Sequence, residues 1–207
     1  MKQTQNTTTF IPTHQEERTR IRRDIRTRRQ SLTSLEQTLA CEDALFNLQQ
    51  LPVVQSARKI AIYLSVDGEL DTHPMIEYFW QQGITVCLPV LHPFSPGHLL
   101  FLEYAPDSAM TENKFNIQEP KLDVTKVIPV AELDIIFTPL VAFDSEGHRL
   151  GMGGGYYDRT LENWFRSRTG PRPVGIAHDC QFVQHLPTEH WDVPLPVVVT
   201  PGKIWHW

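Results

Sequence analysis

The sequence predicts an α/β fold built on a mainly parallel sheet. Three observations carry that prediction. Short apolar runs recur at 59–66, 84–90, 99–104, 133–140, 173–177 and 196–200, each with the length of a buried strand. Segments with helical spacing of apolar residues separate several of them, and strands alternating with helices make a parallel sheet. A glycine cluster follows one strand and opens one helix, where such sheets gather their ligands.

The elements follow in order. Residues 1–15 are rich in Thr and Gln and read as a flexible tail. They contain no apolar stretch of the kind a secretory signal requires. A single domain is expected over 16–207. Arg18, Arg22 and Arg26 are spaced by four, so they share one side of a helix, with Ile21 and Ile25 as an apolar edge that would dock it. Thr33 and Glu36 form a capping box. Leu35, Leu39, Ala44 and Leu45 mark the helix that follows, which stops before Pro52. After the 59–66 strand, Thr72 and Pro74 start a helix, Ile76, Phe79 and Trp80 give it an apolar face, and Gly83 ends it. The strands at 84–90, 99–104 and 133–140 come next, then the glycine loop and a helix over 156–165. The loops at 66–70, 115–120 and 143–158 are therefore the candidates for ligand binding.

Composition narrows the function. The 207 residues are 41% hydrophobic, enough for one substantial core. No apolar run is long enough to cross a bilayer, so no membrane role is expected. Cys41, Cys87 and Cys180 are scattered and form no Cys-x-x-Cys pair. This argues for reduced thiols in a cytoplasmic setting and against structural zinc. The net charge of −5 is uneven: residues 1–29 carry eight basic and three acidic side chains, the remainder eleven and twenty-one. A basic helix on an acidic body suits either nucleic acid or one anionic ligand. The segment 18–29 lacks interleaved aromatics, which counts against nucleic acid.

The chemistry concentrates in Arg149-Leu150-Gly151-Met152-Gly153-Gly154-Gly155-Tyr156-Tyr157-Asp158-Arg159, which holds four of the eleven glycines. Glycines let successive amides approach an anion such as a phosphate, and the helix start adds its own free N–H groups. The stretch has neither the Gly-Lys-Ser/Thr ending of a P-loop nor the Gly-x-Gly-x-x-Gly spacing of a dinucleotide fold. Asp158, in the first helical turn, reads either as a dipole-stabilising residue or as a Mg²⁺ ligand beside phosphates; Asp192 is a second such carboxylate. Arg149 and the basic helix would neutralise phosphate oxygens. Glu69, in a loop with Asp67 and Asp71, reads as a solvated acid or as an acceptor for a planar amino-pyrimidine edge. Tyr156 and Tyr157 read first as packing residues. The nine histidines show no ligand spacing, and no nucleophile elbow is present.

Four segments together resemble the 5-formyltetrahydrofolate cyclo-ligase family: the basic helix ending near Ser31-Leu32-Thr33; Tyr63-Leu64-Ser65 with Glu69; Asn116-Ile117-Gln118-Glu119-Pro120; and the long motif from Pro139 through Phe143-Asp144 and Arg149-Leu150-Gly151 to Gly155-Tyr156-Tyr157-Asp158. The resemblance covers the chain from about Arg18 to its end. It implies a three-layer architecture related to sugar-phosphate isomerases and CoA transferases. It implies cyclisation of 5-formyltetrahydrofolate to 5,10-methenyltetrahydrofolate with ATP as co-substrate and Mg²⁺ as cofactor, in a cytoplasmic enzyme expected to be a monomer. Carried over residue by residue, Arg18, Arg22 and the loop Arg149, Leu150, Gly151, Met152, Gly153, Gly154, Gly155, Tyr156 and Tyr157 would bind ATP. Leu64, Glu69, Phe115, Gly153 and Tyr156 would bind the folate, and Asp158 and Asp192 the magnesium. Relatives often carry a cation inside the glycine loop, where this chain has Met152 and Gly154. Arg149 and Arg22 are expected to share that catalytic role. An isomerase-like activity on the same architecture is the alternative, and it would give the Gly-Tyr-Tyr-Asp loop no specific purpose.

Overall fold

The computed structural model describes residues 13–207. Most of the expected tail lies outside the described residues. The first helix, α1 (His14–Gln30), starts two residues ahead of the expected boundary because Thr13 caps it, in a capping box with Glu16. Thr33 and Glu36 cap α2 (Ser34–Gln49) in the same way. A short α3 (Pro52–Ser56) leads into β1 (Lys59–Ala61). The chain continues through α4 (His73–Gln81), β2 (Thr85–Leu91) and β3 (Leu99–Glu103). A hairpin of β4 (Met110–Glu112) and β5 (Gln118–Pro120) follows, then β6 (Val127–Ile128) and β7 (Ile135–Thr138). A second small hairpin, β8 (Ala142–Phe143) with β9 (Arg149–Leu150), precedes α5 (Tyr156–Ser167). The chain closes with β10 (Arg172–Ile176), β11 (Val197–Val199) and β12 (Ile204–His206).

Eight strands form the main sheet in the order β12-β11-β10-β7-β1-β2-β3-β6. The five strands from β11 to β2 are mutually parallel, with Ile60 registered between Val86 and Ile135. The flanking strands β12 and β3 run antiparallel to these, and β6 pairs antiparallel with β3. The sheet is thus mixed but mostly parallel, as expected. Period-two alternation sorts its side chains onto two faces. Ile60, Val86, Leu88, Ile135 and Phe137 pack under α2 and α4 with Ala44, Leu48, Met75 and Phe79. Ala61, Cys87, Ile136 and Val198 face the other way, against Leu161 of α5 and the segment carrying Val193 and Leu195. These are the three layers. Helix α1 is held separately: Ile25 sits in a third apolar cluster with Val141, Ala142, Leu150 and Leu186.

Two expectations change. The run 59–66 forms regular strand only to Ala61, and from Tyr63 the chain leaves the ladder. The glycine loop does not follow β7 directly. The β8/β9 hairpin intervenes, organised by the fully buried Asp144, whose carboxylate accepts from the amides of Glu146 (2.9 Å), His148 (3.0 Å) and Leu186 (3.1 Å). Among the described residues, no helix is long and apolar enough to cross a membrane.

Candidate active site

All five parallel strands point their carboxyl ends at one edge of the sheet, and the segments leaving that edge wall a cavity of about 700 Å³. The three loops expected to bind ligands all reach it. Val66, Asp67 and Glu69 line it after β1, Phe115 to Glu119 come from the β4/β5 hairpin, and Arg149 and the glycine loop follow β9. Pro139, Leu140 and Val141, just beyond β7, form its floor. They are fixed by the buried Gln181, which donates to the carbonyls of Leu140 (2.7 Å) and Val141 (3.1 Å). The volume suits a small-molecule site shared by more than one group.

Helix α1 lies along this cavity, and its arginines have different occupations. Arg18 is buried; it binds Asp192 through two hydrogen bonds (2.6 and 3.2 Å) and donates to the Pro187 carbonyl (2.9 Å). Arg22 donates through Nε to the Gly151 carbonyl (2.8 Å) and, among the described residues, forms no ion pair. Burial and then the charge of Arg18 lower its pKa, while Asp192 opposes them. Arg26 pairs with Asp67 at 2.6 Å. Arg29, on the last turn, is 1% exposed and donates to both the carbonyl and the carboxylate of Asp67, each at 3.0 Å. Gln30 also donates to the Asp67 carboxylate.

The glycine loop is shaped by its own steric needs. Gly153 and Gly155 have φ of +99° and +66°, a region that L side chains rarely adopt. A Cβ on Gly154 would stand 2.7 Å from the ring of Tyr156. Arg159 closes the loop from behind, donating to the carbonyls of Gly154 (2.9 Å) and Gly97 (3.0 Å). Arg149 is buried beneath the loop and pairs with Asp158 at 2.6 Å; its Nε has no protein partner among the described residues. One oxygen of Asp158 also accepts from the Val193 amide (3.2 Å), while its Oδ2 has no protein hydrogen bond among the described residues. Both Asp192 oxygens are engaged by Arg18, and one accepts from the Glu189 amide as well (2.9 Å).

Across the cavity, Glu69 accepts from the Val66 amide (3.1 Å), and burial pushes its carboxyl pKa up to about 6 against the opposing pull of that amide and of Arg29. Phe115, at the β4/β5 hairpin tip, is half exposed and meets Tyr156 edge to face with centroids 6.3 Å apart. Glu119 ties the hairpin to the sheet, accepting from the Leu91 amide (3.2 Å) and the Asn113 amide group (3.0 Å).

The residues expected from the sequence are thus brought together with one exception. Arg18, Arg22, Leu64, Glu69, Phe115, Arg149, Gly151 to Asp158 and Asp192 all line the cavity. Leu150 does not: it is the buried residue of β9, and strand alternation turns it into the cluster with Ile25 and Leu186. Its part in the loop is to anchor it. Lining residues given no role from the sequence include Arg29 and Asn113, and Glu119 was named there only as part of a motif. The arginine run held the first of these, but only the turn count from Arg22 to Arg29, seven residues and two helical turns, would have placed it on the cavity side.

Comparison with known proteins identifies the family. The sequence model of the 5-formyltetrahydrofolate cyclo-ligase family matches residues 14–201. The chain is 55% identical over 183 residues to the 5-formyltetrahydrofolate cyclo-ligase of Escherichia coli K12, covering 88% of this chain and all of that protein. It is 52% identical to the Haemophilus influenzae enzyme of the same name, covering 87% and 95%. Among solved structures, the Aquifex aeolicus 5,10-methenyltetrahydrofolate synthetase superimposes with a TM-score of 0.77 at 29% identity, covering 91% of this chain and 92% of the other. A synthetase of that name from Mycoplasma pneumoniae shares the fold, with a TM-score of 0.70 at 22% identity over 89% and 99% of the two chains.

Proposed function

The chain belongs to the 5-formyltetrahydrofolate cyclo-ligase family, and from that premise we propose how its cavity carries out the family's reaction, the ATP-dependent cyclisation of 5-formyltetrahydrofolate to 5,10-methenyltetrahydrofolate. The observation that carries the assignment is that one cavity holds an anion-binding wall and an amine-accepting wall. Arg22 of α1 and the glycine loop form the first, Glu69 and Phe115 the second.

The triphosphate lies on the first wall, where the loop amides and Arg22 meet it. Among the described residues, Arg22 is the cavity-lining arginine without an ion pair, since Arg18 and Arg149 each hold an aspartate and Arg26 and Arg29 share Asp67. It therefore supplies the cation that the loop itself lacks, and Arg149 acts from below by holding Asp158 at the start of α5. The pterin lies on the second wall. Its amino-pyrimidine edge donates to the Glu69 carboxylate, and its ring is bracketed by Phe115 and Tyr156. The formyl oxygen then faces the γ-phosphorus.

In the first step that oxygen bonds to the γ-phosphorus, the bond to the bridging oxygen breaks, and ADP leaves with its electron pair. In the second, N10 adds to the activated formyl carbon and loses its proton. The nitrogen N5 pushes out phosphate, which carries away the former formyl oxygen. Positioning and charge neutralisation do most of the work in phosphoryl transfer, and holding N10 beside the carbon supplies effective molarity. No side chain is required as a nucleophile.

Magnesium fits part of the donor set. No group of three metal-ligating side chains gathers among the described residues, but Mg²⁺ bound with ATP needs only one or two carboxylates. Asp158 would hold it through Oδ2, and Asp192 would reach it only by sharing oxygens that Arg18 occupies. Bound there, it would neutralise phosphate charge. The three thiols are unpaired, which supports a reducing, cytoplasmic setting. The engagement of Arg18, Arg22, Arg26 and Arg29 at the cavity supports small anions over nucleic acid as the partner of α1.

The test is direct. Purified protein with MgATP and 5-formyltetrahydrofolate should generate methenyltetrahydrofolate absorbance, with one ADP and one phosphate per product. A preparation that is folded and binds both substrates yet forms no product would overturn the assignment.

A further inference from the structure

Arg29 has no place in the chemistry above, yet it is among the most deeply buried charged residues described, at 1% exposure, and it lines the cavity. A buried guanidinium is expected to satisfy all its donors. Arg29 spends Nε and Nη2 on Asp67, but Nη1 has no hydrogen-bond partner among the described residues. The nearest carboxylate oxygen is Oε1 of Glu69, at 3.6 Å, too long for a hydrogen bond and close enough for strong attraction in a water-poor site.

The backbone around it is arranged to keep this geometry. Asp67 takes a left-handed conformation (φ +54°) and Gly68 follows at +72°. That turn delivers the Asp67 carbonyl and carboxylate to one arginine and Glu69 to its free nitrogen. A Cβ at Gly68 would stand 3.4 Å from the Arg29 carbonyl, so helix and loop are in van der Waals contact.

We propose that Arg29 is a positioning residue for folate recognition: its unsatisfied Nη1 holds Glu69 ionised and aimed, so that the carboxylate accepts from the amino-pyrimidine edge of the substrate. The inference rests on the reading of Glu69 as the folate acceptor given above. The other groups facing Glu69 do not supply this service. Asp67, on the same loop, is a like charge that disfavours ionisation. Tyr63, beyond β1, and Tyr157, from α5, are phenols whose own pKa values are pushed up, mainly by burial and then by Glu69. Among the described residues, Arg29 is the one cation that acts on it.

The perturbation is Arg29→Met, which keeps the volume and removes the charge. Burial already lifts Glu69 to about 6. The Arg29 charge opposes that rise, so its loss moves the Glu69 carboxyl further up. At pH 7 the ionised fraction then falls, and the KM for 5-formyltetrahydrofolate rises by several-fold to about tenfold. The KM for ATP stays unchanged. At pH 8.5 the variant and parent converge to within about twofold. A merely structural lesion would not be repaired by base. Arg29→Lys, which keeps the charge, should show a smaller shift of the acid limb and serves as the test if the methionine variant does not fold. Glu69→Gln separates the two readings. If it leaves the folate KM unchanged, the folate role of Glu69 fails. If it raises that KM while Arg29→Met and Arg29→Lys leave both KM and acid limb in place, the role of Arg29 alone is wrong.

Discussion

Arg22→Ala asks most directly which cation meets the transferred phosphate. In the free enzyme Arg22 gives one hydrogen bond to the Gly151 carbonyl at 2.8 Å, and its Nη2 lies 3.6 Å from where a Cβ would stand on Gly153. Its charge is otherwise unspent. A charge-assisted hydrogen bond is worth about 1.5–3 kcal/mol, so losing it to a phosphate oxygen should lower kcat/KM for ATP by roughly 10- to 150-fold. Part of the loss should fall on kcat, because negative charge redistributes over the γ-phosphoryl oxygens in the transition state. The fold should tolerate the change. Arg18 with Asp192, Ile25 in its cluster, and the Asp67 contacts of Arg26 and Arg29 still hold α1, and a half-buried side chain without an ion pair contributes within about ±0.5 kcal/mol. Steady-state kinetics with varied ATP, beside a thermal melt, reads both quantities. Lysine at this position should recover part of the rate. If kcat/KM for ATP stays within about twofold of the parent, the transferred phosphate does not rely on Arg22.

Three further outcomes follow from the geometry. Arg18→Ala leaves Asp192 buried with one amide in place of a guanidinium, a change that destabilises by about 3–5 kcal/mol; the melting temperature should drop by roughly 6–20 °C, and adding Asp192→Ala should restore much of it, whereas an unchanged single-variant melt would show that the pair holds nothing. Gly175→Ala in β10 places a Cβ 2.7–2.9 Å from Leu195, Val198 and Leu140, so it should lose about 1–3 kcal/mol in denaturant unfolding while both KM values stay put. His178 is held near pKa 4 by burial and then by the Arg29 charge, well below its usual 6.5. The unfolded chain therefore takes up a proton below about pH 6.5 that the folded chain refuses until about pH 4, and stability falls as pH drops through that window; His178→Gln should flatten the decline, and an unaltered urea-midpoint profile from pH 4 to 7 would exclude His178 as its source.

Much of this was readable from residues alone. The two capping boxes, the glycine and proline punctuation of α4 and the apolar runs of β2, β7, β10 and β11 each carry a local signal, and they appear within a residue or two of where the pattern placed them. The short ladders did not show. The pairs β4/β5 and β8/β9 are two or three residues long, too short for periodicity, and they exist because Glu119 and the buried Asp144 gather amides that are not neighbours in the pattern. In the cavity, nearly every residue chosen by motif position lies on the wall. What it could not find is which cation is already neutralised. Arg18 and Asp192 are 174 residues apart, and Arg29 and Asp67 are 38. Only folding reveals that Arg22 is left over. Leu150 lies off the cavity for a related reason: a motif gives order along the chain, whereas strand pleat decides which neighbour faces the cavity.

One helix touches both walls of the cavity. At its start α1 grips Asp192 and the carbonyl of Gly151; at its end it grips Asp67 and stands beside Glu69. The twelve residues from Arg18 to Arg29 span about 16 Å of continuous helix, so in the proposed placement the two substrates rest against the same rigid body. Their affinities then belong to one closed thermodynamic cycle. Any factor by which bound nucleotide tightens the folate must equal the factor by which bound folate tightens the nucleotide, whichever arrives first.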